Sequence, residues 1–100
     1  MNDKFNIMPI ASSVRDNPAL SRFELDDDGA MVFANYRLDG NVLTILHTET
    51  PPQARGKGLA SQLIAGVLNI ARARGLKVVP RCAFVRAYMA KHPETQDLLA

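Results

Sequence analysis

Apolar and polar residues alternate through much of the first half of this chain and recur at helical spacing through much of the second. In Ser21-Arg22-Phe23-Glu24-Leu25 the apolar Phe23 and Leu25 alternate with charge, the pattern of a half-buried strand. Asp26-Asp27-Asp28-Gly29 is a turn. Alternation resumes over 30–38, with Val32, Ala34, Tyr36 and Leu38 on one face and Asn35 and Arg37 on the other. Asp39-Gly40 supplies the positive φ angles of a tight hairpin. The next strand, 41–48, has apolar residues at successive positions (Val42, Leu43, Ile45, Leu46), which predicts a central strand covered on both faces.

Pro51-Pro52 ends that run. From Gly58 to Arg74 the residues Leu59, Ala60, Leu63, Ile64, Val67, Leu68 and Ala71 form one apolar stripe of a helix. Gly75 is placed to stop it in the left-handed conformation. Leu76–Pro80 is a short apolar strand, parallel to 41–48 if reached by the usual right-handed crossover. A second helix is predicted over 84–91, with Val85, Tyr88 and Met89 inward, stopped at His92-Pro93. A helical turn at 95–99 closes the chain. The sum is an α+β (mixed α/β) fold: an antiparallel meander joined to one βαβ unit with flanking helices.

Residues 1–20 show no sustained period and read as a partly ordered lead-in, with one short strand around Asn6–Ala11. Residues 21–100 then form a single domain, since 100 residues support one core and not two. No apolar run reaches the length a membrane helix needs, and the N-terminus lacks a secretory signal. The lone Cys82 has no partner for an internal disulfide, so a reducing, cytoplasmic setting is expected.

Charge is segregated. Residues 1–49 carry four basic and eight acidic side chains, whereas residues 50–93 carry eight basic and no acidic one. A stretch without acids suits an anionic ligand or a merely solvated basic face, and a site must decide between them.

Gln53-Ala54-Arg55-Gly56-Lys57-Gly58 offers such a site, between a strand and a helix. Two glycines let backbone amides approach a phosphate, the helix dipole favours its charge, and Arg55 and Lys57 add cations. A P-loop would need lysine then Ser or Thr after the last glycine, but Lys57 precedes Gly58 and Leu59 follows it. A dinucleotide fingerprint would place its third glycine at Ser61 and an acid on the next strand, where 76–80 has none.

Gln53-x-x-Gly56-x-Gly58-Leu59-Ala60 resembles the acetyl-CoA motif Gln/Arg-x-x-Gly-x-Gly/Ala of the GNAT N-acetyltransferase superfamily. The order of strand, loop, helix and strand is also similar. The short stand-alone members carry patterns like Ser21-Arg22-Phe23-Glu24, His47-Thr48-Glu49, Arg55-Gly56-Lys57-Gly58, Pro80-Arg81-Cys82 and His92-Pro93-Glu94. The likeness spans roughly residues 20 to 98. It implies a minimal GNAT (acyl-CoA N-acyltransferase) fold and acetyl-CoA as cofactor, its diphosphate on Gln53, Ala54, Arg55, Gly56, Lys57, Gly58, Leu59 and Ala60. The pantetheine arm would lie where the strands 41–48 and 76–80 splay apart.

The resemblance also puts Cys82 near the acetyl thioester. At a helix N-terminus beside Arg81 its thiol pKa can fall, making it a nucleophile or a cofactor contact, against the alternative of a small buried hydrophobe. His47 and Glu49 share one side of their strand, and either can deprotonate an amine directly or through water. The competing readings are a structural histidine and a solvated carboxylate. Tyr88 matches the tyrosine that protonates the leaving thiolate in larger relatives, or else is a core aromatic. His92 caps the helix end.

Larger relatives have an asparagine after the fourth strand, Gly-Phe after the second helix and two helices near the start. Here Arg81-Cys82 and His92-Pro93 stand instead, and no such helix pair is evident. The implied function is an acetyl-CoA-dependent N-acetyltransferase acting on an unidentified amine. The alternative is a non-catalytic acyl-CoA-binding module. A nucleic-acid binder is disfavoured, because only Phe84 and Tyr88 are aromatic in the basic half. No metal and no membrane partner are expected.

Overall fold

A computed structural model describes residues 13–100. The expected strand around Asn6–Ala11 lies outside the described residues. Five strands form one sheet in chain order: β1 (Arg15–Asn17), β2 (Arg22–Asp27), β3 (Ala30–Asp39), β4 (Val42–Glu49) and β5 (Lys77–Pro80). The first four are antiparallel, and β5 joins β4 in parallel after the crossover helix α1 (Leu59–Ala73). Helix α2 (Ala83–Lys91) and a 3-10 segment (Pro93–Leu98) follow. The architecture is therefore the α+β one that the periodicities predict. Among the described residues no helix is long and apolar enough to cross a membrane.

β1 falls inside the stretch read from sequence as a lead-in, so the sheet begins before residue 21. Three residues are too few to show a period of two, and pairing with β2 reveals the strand that pattern alone does not. The hairpins follow from local chemistry: Asp28 (φ 53), Gly29 (φ 89) and Gly40 (φ 58) make the turns that bring β2 to β3 and β3 to β4.

Helix α1 lies across β2, β3, β4 and β5. Its stripe of Leu63, Ile64, Val67, Leu68 and Ala71 packs on Phe23, Leu25, Val32, Ala34, Leu43 and Ile45, with Val85 and Met89 of α2 completing one core. The other face of the sheet is polar. There Glu24, only 2% exposed, is surrounded by Arg15, Asn17 and Arg22. The Arg22 guanidinium also rests 4.5 Å from the centre of the Phe33 ring.

Hydrogen bonds from Arg22 and Asn17 hold the Glu24 carboxyl below its ordinary range, against burial that pushes it up, with further help from Arg15. A lowered folded-state pKa stabilises the fold above the unfolded value, and that contribution fades as pH falls through the folded one. Glu24→Gln should therefore cost about 1 kcal/mol at pH 7, the carboxylate being covered mainly by its own partners at the sheet surface. Urea unfolding at pH 7 and pH 3 checks this: the gap between variant and parent should shrink at pH 3.

β4 departs from the expectation of a strand covered on both faces. Asn35 pairs with His47 but Tyr36 pairs with Ile45, so Leu46 is an extra, bulged residue, 41% exposed. Pairing of β4 with β5 stops at Ile45 and Pro80, while β4 continues to Glu49. The Ile45 carbonyl receives the amides of both Arg81 and Cys82, at 3.0 and 3.1 Å, which closes the ladder there. Beyond it the chain turns into α2 and leaves the side of β4 from 46 to 49 unpaired by β5. A bulge bends a strand and breaks its ladder, and here it marks the place where the two strands part.

Candidate functional site

The segment after β4 runs through a 3-10 turn (Pro52–Ala54) and then the glycine loop. Ala54 is buried and anchors the loop, while Arg55, Gly56, Lys57 and Gly58 are exposed. Gly56 and Gly58 take φ of 81° and 74°, values that favour glycine, and a Cβ on either would point into open space. Gly58 is the N-cap of α1, and no side chain caps that end. Gln62 is the first amide to bond back, to the Gly58 carbonyl at 3.1 Å. The first-turn amides before it have no helical partner, which is the chemistry of an anion seat.

They border a groove of about 160 Å³ lined by Thr50, Arg55, Gly56, Gly58, Ser61 and Phe84, together with Ala54, Leu59 and Ala60. Of the residues predicted to hold a diphosphate, six line it. Gln53 and Lys57 do not. They border a separate hollow with Asp27, Asp28 and Gly29, where the Lys57 ammonium donates to Asp27 at 3.1 Å. Lys57 thus ties the loop to the β2–β3 turn, a pairing across 30 positions that spacing within the loop does not reveal. Thr50, Ser61 and Phe84 are additions to the sequence-derived set. Ser61 is legible as the first-turn residue beyond the motif; Phe84 comes from α2 and depends on tertiary packing.

Cys82 is the N-cap of α2, half-buried, with Sγ 3.6 Å from the Thr48 hydroxyl. Burial pushes the thiol up, but the amide of Val85, the Thr48 hydroxyl and the amides of Phe84 and Thr48 outweigh it, so its pKa is lowered. The Cys82 side chain makes no capping hydrogen bond to α2. The neighbour expected from sequence, Arg81, is not among the causes. Thr48, 34 positions away, is the partner missed by sequence reasoning. Thr48→Val should raise the thiol pKa, seen as a shift to higher pH in the midpoint of iodoacetamide alkylation. An unmoved midpoint would remove Thr48 from the account.

His47 and Glu49 are brought together, with Nε2 and Oε1 2.6 Å apart and both side chains about half exposed. They stand on the opposite face of β4 from Thr48. Thr48 pairs with Ala34 on the helix-covered face, whereas His47 pairs with Asn35 and Glu49 with Phe33 on the polar face. The thiol and the His47–Glu49 pair therefore flank β4 from two sides, at the stretch where its ladder to β5 has ended.

Tyr88 is elsewhere. It lines the space between α1 and α2 with Ser61, Lys91 and His92, its ring stacked on His92 at 4.0 Å. Burial, and then the charge of Glu94, push its hydroxyl up, keeping it protonated at neutral pH. His92 does end α2, through its backbone amide to Met89, while its ring meets Glu94 at 3.3 Å. Two larger hollows of about 510 Å³ lie farther along α1 and behind α2. In the first, Arg72 is already clamped by Asp97 through two hydrogen bonds, so its charge is satisfied within the chain.

The described residues hold no cluster of three or more His, Cys, Asp or Glu side chains suited to a metal ion. The model of a family described as GCN5-related N-acetyl-transferase matches residues 22–98. The solution structure of a Staphylococcus aureus protein, described as a GCN5-like candidate N-acetyltransferase, superposes with a TM-score of 0.67 at 27% identity. That match covers 87% of this chain and 86% of the other.

Proposed function

Since the chain belongs to the GCN5-related N-acetyltransferase family, we propose that it transfers acetyl from acetyl-CoA to an amine across the opening beside β4. The observation that carries this proposal is the alignment of three features along one path. Open amides lie at the start of α1, a thiol of lowered pKa lies at the start of α2, and a His–Glu pair lies across β4 from that thiol.

The diphosphate of the cofactor sits on the amides from Gly56 to Ser61, with Arg55 beside it. An anion there meets unpaired N–H donors and the positive end of the α1 dipole. The pantetheine arm then runs between β4 and β5, where no ladder fills the space, and delivers the thioester to Cys82 and Thr48. An acceptor amine approaches from the polar face. His47, oriented by Glu49, takes its proton as the nitrogen attacks the carbonyl carbon. A C–N bond forms, the C–S bond breaks and coenzyme A departs as thiolate, to be protonated from solvent.

Cys82 can enter in two ways that differ in stoichiometry. As a positioning contact it touches the thioester while the amine attacks directly. As a nucleophile it takes the acetyl first, releasing one equivalent of coenzyme A before any amine is added. The lowered thiol pKa favours the second route, and the placement of His47 on the other face favours the first.

Titration calorimetry with acetyl-CoA, coenzyme A, ATP and a single-stranded oligonucleotide tests the cofactor, and free thiol release over a panel of amines tests turnover. Binding of both coenzyme A species with amine-dependent release is the expected result. Tight binding without release for any amine would favour the acyl-CoA-binding module. Heat from the oligonucleotide alone would remove the proposal.

A further inference from the structure

Strand register sets two rungs of side chains across the polar face of the sheet. Arg22, Asn35 and His47 form one, and Glu24, Phe33 and Glu49 form the next. The His47–Glu49 pair thus ends a row that begins at Arg22, two strand spacings or about 10 Å away. Arg22 is held on two sides. Its Nε donates to Glu24 at 2.7 Å, and its guanidinium lies 4.5 Å from the centre of the Phe33 ring. Glu24 is in turn fixed by Arg15 and Asn17 of β1. The guanidinium therefore leans over β3, one strand spacing (about 5 Å) from β4. Because Glu24 takes Nε, the two terminal nitrogens remain as donors for a second anion, and the side chain keeps 25% exposure. Asn35 lies between Arg22 and His47 as a further donor on the same rung. The other cation of β3 and β4 on this face, Arg37, already stands 3.5 Å from Asp39.

We infer that the acceptor is a short aminocarboxylic acid, with its carboxylate on Arg22 and its amine at His47 and Glu49. The inference rests on the acetyl-transfer reading and names the acceptor class for it. A guanidinium offers a carboxylate two parallel N–H donors, and one already clamped by Glu24 and Phe33 loses little freedom on binding. The charges match a zwitterion end for end, a cation at Arg22 and an anion at Glu49 beside the base. The same arrangement rejects a polyamine, whose second ammonium would fall on Arg22. The spacing agrees. The guanidinium lies over β3 and the opening lies past His47, so carboxylate and amine stand a few carbons apart, with a hydrogen bond of about 2.9 Å at each end. As the amine attacks, a C–N bond forms and the C–S bond breaks. His47 takes the proton, leaving an N-acetylated acid and coenzyme A as thiolate.

Thiol release by the full chain with acetyl-CoA tests this, using glycine, β-alanine, γ-aminobutyrate and δ-aminovalerate, each beside its carboxamide. The carboxamide keeps the length and the amine and loses only the anion. At least one acid should exceed its carboxamide by about tenfold or more in kcat/KM, chiefly through a lower KM. Arg22→Gln should bring that ratio close to one. Arg22→Lys, which preserves a cation for Glu24, should cut it by at least about threefold, since one ammonium then serves two carboxylates. The ratio is taken within each protein, so a loss of folded fraction cancels, and the lysine variant stands in if the glutamine variant does not fold. Equal turnover of acid and carboxamide, turnover confined to amines without a carboxylate, or a parental ratio in either variant overturns the acceptor class while acetyl transfer stands. Release with no amine of any kind overturns both.

Discussion

Gly58→Asp should leave a folded protein that no longer binds acetyl-CoA. The left-handed backbone at Gly58, φ 74°, makes any side chain there cost about 1–2 kcal/mol, too little to unfold a domain with this core. A Cβ at 58 meets nothing within 4 Å, so the new carboxylate projects into the space the diphosphate would use. It would also lie at the N-cap of a helix that lacks a side-chain cap, where a negative charge is favoured. The variant thus fills the anion seat with its own anion. Placing like charges together costs several kcal/mol, so affinity should fall by at least about 100-fold, measured by calorimetry beside a thermal melt. Unaltered affinity would mean that the loop does not hold the cofactor.

Cys82→Ala should bind coenzyme A as the parent does and lose most of any acetyl transfer. The residue is half-buried at a helix start and packs only at the margin of the core, so its removal leaves the groove at the glycine loop in place. If the thiolate carries the acetyl group, the initial release of one equivalent of coenzyme A should vanish in the variant, and amine-dependent turnover should drop by roughly 100-fold or more. If Cys82 only contacts the thioester, turnover should fall by less than about tenfold, with no initial release in either protein. A parental rate in the variant would assign Cys82 a structural role. Since burial opposes the lowered thiol pKa and surrounding donors cause it, the same donors would stabilise the thiolate before attack.

Much of the fold was legible along the chain. The apolar stripe read over Gly58 to Arg74 predicts α1 within one residue at each end, because a helix shows its buried face at fixed spacing. Asp39-Gly40 predicts the β3–β4 hairpin, because few residues tolerate its backbone angles. The two glycines before α1 identified the loop, and the structure brings six of its eight assigned residues to one groove. What escaped was of another kind. Leu46 looks like one more buried residue of a central strand until its pairing shows it to be the bulge. Lys57 also meets Asp27 at the end of β2, a contact that spacing within the loop does not reveal.

The chain by itself determined where strands, turns and helices lie and which loop offers bare amides, since those depend on side-chain period and on local backbone freedom. Only the folded sheet decided that Thr48 meets Cys82, that His47 and Glu49 stand on the other face, and that β4 outruns β5. Such features depend on strand register and on the residue where a ladder ends. A shift of one position would turn every later side chain to the opposite face, and no local pattern around His47 or Cys82 specifies that position.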